Sequence, residues 1–135
     1  GLDTGIYNLL IGESAGEKNT KGRSNIAIGA GSLRKNTVGD YNIAIGYGAG
    51  QHLESISEKP NHNIFLGYLS GYSNSFGTNN IFIGAYSGTL DQVSQRFSLG
   101  SAISKSLLYG DLNLLSLSVG TSRIFQRLDT CLDMG

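Results

Sequence analysis

Two histidines, one cysteine and ten acidic residues are the side chains of this chain that could carry chemistry. A metal site needs three or four ligands gathered at close spacing. His52 and His62 stand ten positions apart without carboxylates at ligand spacing, and Cys131 has no second cysteine to join it. The glycine-rich run Gly46-Tyr47-Gly48-Ala49-Gly50 has the flexibility of a phosphate cradle but lacks the Lys-Ser/Thr pair that would hold the phosphate. Asp3, Glu13, Glu17, Asp40, Glu54, Glu58, Asp91 and Asp111 could supply the paired carboxylates of a glycosidase. No repeated position holds two of them, so such a pair would have to be assembled from two chains. The residues therefore predict no catalytic, cofactor-binding or metal-binding set, and a protein that is not an enzyme.

The bulk properties narrow the partners. Ten basic residues balance ten acidic ones, and only 15% of the chain is charged. A neutral chain has no global field to draw it to nucleic acid or to an anionic membrane. No apolar run approaches the ~20 residues of a membrane-spanning helix. The chain starts at Gly1 without a charged-then-apolar leader, which suggests a processed product or a fragment. Glycine is the outlier, at 20 of 135 residues. The accompanying Ile, Leu, Phe and Tyr argue against disorder, so the glycines must serve a regular architecture.

That architecture is a repeat. Asn-Ile-Ala-Ile-Gly occurs at 25–29 and again at 42–46. The asparagine recurs as Asn8, Asn25, Asn42, Asn63 and Asn80, and a glycine follows four residues later at Gly12, Gly29, Gly46, Gly67 and Gly84. Three positions further on stand Ala15, Ser32, Ala49, Ser70 and Ser87, followed by Gly16, Leu33, Gly50, Gly71 and Gly88. A second turn signal, Asn-x-x-Gly, recurs at Asn19–Gly22, Asn36–Gly39 and Asn74–Gly77. The step is 17 residues except between the third and fourth units, where it is 21; residues 53–62, with Pro60, are the expected surface insertion. Each apolar segment is too short for a helix and alternates like a strand. The prediction is an all-β fold, a parallel β-solenoid or β-roll with 17-residue coils, each coil two short strands and two bends. At ~4.8 Å per coil, five or six rungs make a section about 25–30 Å long. The aligned asparagines are expected to form a side-chain ladder, and the glycines to take positive φ at the turns.

Both faces of the repeated strand are apolar. One carries Leu9, Ile26, Ile43, Ile64 and Ile81 with Ile11, Ile28, Ile45, Leu66 and Ile83; the other carries Leu10, Ala27, Ala44, Phe65 and Phe82. A coil has one inside and one outside, and an apolar outside needs cover. The Leu10–Phe82 column is expected to face sister copies in a homotrimer. Opposite charges also recur one step apart, Glu17 with Arg34 and Arg23 with Asp40. Tyr47 and Tyr68 share a position after the turn glycine, with Tyr72 and Tyr86 nearby. Exposed on a rod, these four could stack on sugar rings.

Asn-Ile-Ala-Ile-Gly with a small residue three positions on resembles the head repeats of trimeric autotransporter adhesins, and equally the repeats of bacteriophage tail fibres and tailspikes. The resemblance covers about residues 7–88; Ser32, Ser70 and Ser87 match the hallmark serine, and Ala15 and Ala49 depart from it. It implies a homotrimeric fibre segment of a virion, attached to other tail or fibre proteins and presenting a surface to host glycan. It implies as alternatives the head of an adhesin on a bacterial surface, or a fibre-borne glycan-cleaving enzyme. Residues 1–92 are then the repeat region and 93–120 a degenerate sixth rung plus a β cap, with a turn expected about Gly110-Asp111. Residues 121–135 are a tail or a short helix, on the spacing of Ile124, Leu128, Cys131 and Leu132.

Overall fold

The computed structural model describes residues 5–54, 59–89, 92–101, 106–119 and 122–123. Among them the protein is all-β without a helix, and winds as a β-solenoid. Strands β1 (Leu9–Ile11), β2 (Ile26–Ile28), β3 (Ile43–Ile45), β4 (Ile64–Leu66) and β5 (Ile81–Ile83) stack in parallel in chain order. The register is the one the repeat dictates: Ala27 lies over Ala44, Ala44 over Phe65 and Phe65 over Phe82. Strand β6 (Arg96–Gly100) adds a sixth parallel rung, with Ser98 over Phe82. Strands β7 (Ser106–Asp111), β8 (Ser116–Val119) and β9 (Ser122–Arg123) then continue the sheet antiparallel.

Among the described residues each coil has one strand, where two were expected. The opposite side is a stack of turns, tied between rungs by bonds such as Gly16 N–H to Ser32 O (2.9 Å), Leu33 N–H to Ala49 O (3.0 Å) and Gly50 N–H to Ser70 O (2.9 Å). Left-handed backbone at Ser14, Gly31, Gly48, Leu69 and Tyr86, and again two residues later at Gly16, Leu33, Gly50, Gly71 and Gly88, prevents an extended conformation there. These φ values, 46–70°, lie in the region that other residues visit. The first turn is different. Gly12, Gly29, Gly46, Gly67 and Gly84 have φ of 119–133°, which favours glycine alone, and a Cβ on Gly46 would lie 2.5 Å from the Gly67 carbonyl oxygen. That is why this position is glycine on every rung.

The two faces of the strand are assigned opposite to expectation. The column Leu10, Ala27, Ala44, Phe65 and Phe82 does not face sister copies; it points into the chain's own coil. Ala27, Ala44, Phe65 and Phe82 are completely buried, and with Leu33, Ala49 and Leu53 they form the core. The interior accepts phenylalanine because the opposite wall is glycine: Cβ atoms on Gly71 and Gly50 would lie 2.5 and 2.6 Å from the Phe65 ring. Leu10 also points inward, over Gly16, but is 41% exposed on the terminal rung. The outside is the isoleucine face. Ile26, Ile28, Ile43, Ile64, Leu66, Ile81 and Ile83 are half-buried, and Ile45 is exposed.

The cap differs in one detail. Gly110 and Asp111 belong to strand β7, and the reversal falls at residues 112–115. The Asp111 carboxylate accepts from the backbone N–H of Asn113 (2.9 Å) and Leu114 (3.1 Å), a side-chain closure that sets the turn after the aspartate rather than on it. Ser122 and Arg123, at the start of the expected tail or short helix, form strand β9. Residues 124–135, with Cys131, and the insertion's residues 55–58 lie outside the described residues.

Candidate functional site

The predicted ladder residues form one continuous array. Each asparagine carboxamide oxygen accepts the backbone N–H of the next, and the first three accept its side chain too: Asn42 N–H and Nδ2 lie 2.9 and 3.1 Å from Asn25 Oδ1, Asn63 N–H and Nδ2 lie 3.1 and 3.0 Å from Asn42 Oδ1, and Asn80 N–H lies 3.0 Å from Asn63 Oδ1. Each Nδ2 also donates to a carbonyl on the coil's far turn: Asn8 to Gly22, Asn25 to Gly39, Asn42 to Pro60, Asn63 to Gly77 and Asn80 to Val93. Asn25, Asn42, Asn63 and Asn80 are buried. Each uses its donors and acceptor inside the wall, so the array is structural and leaves nothing to offer a ligand. The Asn-x-x-Gly turns close alongside it, with Gly39 N–H on Asn36 Oδ1 and Gly77 N–H on Asn74 Oδ1, both 2.9 Å.

Exposed chemistry sits outside the turns. Three of the four singled-out tyrosines meet. Tyr47 and Tyr68 stack with ring centroids 5.5 Å apart, and Tyr86 meets Tyr68 edge-on at 5.3 Å. Their spacing follows from the coil, because equivalent positions on successive rungs are one strand spacing apart. Tyr86 stands one residue later in its rung, which turns its ring. Its phenol, by charge and hydrogen bond, raises the pKa of Tyr68. Tyr72 stands apart from this strip and pairs with His52 at 4.5 Å. His52 is held below the usual histidine range by partial burial and then by Lys35. The sequence reading did not find the partner of His62. It stacks on Tyr41 at 5.1 Å, because both precede a ladder asparagine and share left-handed backbone.

Charge pairs follow the columns in part. Arg34 Nε lies 2.7 Å from Glu17, which lowers the Glu17 pKa and raises that of Arg34. Asp40 takes the backbone N–H of Arg23 at 2.8 Å, while its other oxygen takes Lys59 at 3.3 Å. Lys35 is 4.0 Å from Glu54. In the cap, Arg96 reaches Asp111 at 3.4 Å and lies over the Tyr109 ring at 5.1 Å.

One catalytic pattern was passed over. Gly12-Glu13-Ser14-Ala15-Gly16 spells Gly-x-Ser-x-Gly, the signature of a serine nucleophile on a strand-to-helix elbow. Here no helix follows, and the left-handed φ of Ser14 is shared by Gly31, Gly48, Leu69 and Tyr86 on the other rungs. The conformation belongs to the coil and is not strain stored for catalysis. Among the described residues no three His, Cys, Asp or Glu side chains gather as metal ligands, and no helix is long and apolar enough to cross a membrane. A polar notch of about 190 Å³ lies beside the tyrosine strip, between Glu13 and Tyr47.

Compared with known proteins, the chain matches no family model, no curated protein and no solved structure.

Proposed function

We propose that the chain is a structural and adhesive segment of a homotrimeric fibre or spike, of the phage-tail kind that its repeats resemble, in which rigid rungs hold a host-binding surface away from the particle. The carrying observation is the isoleucine face. The coil fills its own core, yet two further columns of Ile and Leu remain on the outer surface of the parallel sheet across five rungs. A contiguous apolar surface of this kind marks an interaction site, and covering the part of each half-buried side chain that is still exposed contributes about 1 kcal/mol. Sister copies packed along these columns would shelter them, leaving the tyrosine strip outside to meet glycan. The rigidity comes from repetition, each rung adding the same bonds to its neighbour.

Native mass spectrometry tests the assembly. The protein is expected at three times the chain mass, and Ile45→Asp at the monomer mass, with Glu54→Gln unchanged; a monomeric wild type would remove the proposal. Attachment is tested with fluorescent rods on immobilised bacterial surface polysaccharide, where retention above a scrambled-sequence control is expected.

A further inference from the structure

The notch beside the tyrosine strip is formed by a missing side chain. On the first rung the residue after the turn glycine is Glu13, on the third Tyr47 and on the fourth Tyr68; on the second it is only Ala30, followed by Gly31. The rung between Glu13 and Tyr47 is therefore recessed, leaving the hollow of about 190 Å³. Arg34 and Gln51 complete its wall, and Ser14 its rim. Gln51 leans over the gap, its Oε1 3.2 Å from where a Cβ on Gly31 would stand. None of the isoleucine columns lines the notch.

The chemistry of the lining selects a class of ligand. Tyr47 offers an exposed aromatic face, the surface on which the C–H face of a sugar ring packs. A carboxylate and a carboxamide on the other walls can bind neighbouring hydroxyls, and among the described residues neither Glu13 nor Gln51 makes a side-chain hydrogen bond. Arg34 gives its Nε to Glu17. Within the lining Glu13 and Arg34 cancel (one minus one), and the Arg34 guanidinium is already engaged by Glu17, so the notch offers no net charge to hold a carboxylate or phosphate.

We propose that this notch is a subsite for one neutral pyranose of a polysaccharide, with Tyr47 under the ring, Glu13 and Gln51 on adjacent hydroxyls, and the Tyr68–Tyr86 strip carrying the next residues of the glycan. The assignment rests on the attachment reading above and names its ligand class. The residue at the Ala30 position tolerates bulk on other rungs, so Ala30→Tyr fills the notch without disturbing the coil.

The test is saturation-transfer NMR with the methyl glycosides of glucose, galactose, mannose, N-acetylglucosamine and sialic acid. At least one neutral glycoside is expected to bind, at least tenfold more weakly to Ala30→Tyr and to Tyr47→Ala, with unchanged thermal transitions; Glu13→Gln weakens it less. Failure of every neutral glycoside, tighter binding of the sialoside, or full binding by Ala30→Tyr would overturn the subsite. The rod-retention assay separates the two readings. If Ala30→Tyr is retained like wild type, attachment stands and the subsite falls; if wild type is not retained yet binds a glycoside at the notch, the subsite stands and attachment falls.

Discussion

The second and fourth rungs fill the same coil from opposite walls. In the second, the strand contributes Ala27 and the turn wall Leu33; in the fourth, the strand contributes Phe65 and the turn wall Gly71. The third rung has a small residue on both walls, Ala44 and Gly50; its own bulk is Leu53, three residues after Gly50, and its neighbours supply the rest, since a Cβ on Gly50 would meet Leu33 at 3.0 Å as well as Phe65. The interior has one width, and the sequence is free to decide which wall supplies the bulk. Packing is therefore conserved per coil and not per position, as expected of interiors close-packed like crystals.

The largest test of this comparison is Phe65→Ala, which empties the fourth rung; a loss of about 3–5 kcal/mol is expected in chemical denaturation. Gly71→Leu overfills the same rung and should cost about 3 kcal/mol, the upper part of the range for overpacked cores. Part of that cost is left-handed backbone at φ 61°, the strain that Leu33 already carries at the equivalent position with φ 46°. Combining the two changes rebuilds the second rung's arrangement in the fourth, so the double variant should be more stable than the sum of the two losses allows; simple additivity would break the comparison. Asn42→Ala leaves both walls filled but strips the acceptor from buried Asn63, and a loss of about 1–3 kcal/mol should appear as a lower midpoint.

Smaller effects belong to the surface. His52 has its pKa depressed in the fold, so the unfolded chain binds its proton more readily; stability should fall as pH drops below the usual histidine range, and His52→Gln should flatten that part of the curve. The smallest concerns Glu17, whose carboxyl Arg34 depresses. Its contribution is present above the ordinary carboxylate pKa and disappears as pH falls through the lowered value, so wild type and Glu17→Gln should converge in acid.

Spacing alone made the register legible. The asparagine column aligns β1 to β5 without ambiguity, and the turn glycine of φ 119–133° explains its own invariance. Inside and outside were not legible from apolarity, because Ile and Phe read alike. The cue lay in a second column: glycine opposite Leu10, Phe65 and Phe82, but leucine opposite Ala27, is the signature of two walls sharing one volume. The stacks Tyr47–Tyr68 and Tyr41–His62 are column neighbours and could be read from position, whereas the Tyr72–His52 pair and the recessed notch depend on side-chain direction across rungs. The Asp111 turn was missed because a strand can run through Gly110 when the aspartate closes the reversal beyond it.

Pro60 occupies a place held by glycine at 22, 39 and 77; its ring keeps the carbonyl that Asn42 takes, and the N–H that Gly39 and Gly77 give to Asn36 and Asn74 is not called for where Leu53 replaces the asparagine. The chain re-enters the wall at Pro60 in phase with the other coils, without an amide proton there. A foreign peptide grafted between Glu54 and Lys59 would ride on the rod as cargo, with its length set by the engineer and the bonds of Glu54 to Ser75 and of Lys59 to Asp40 kept.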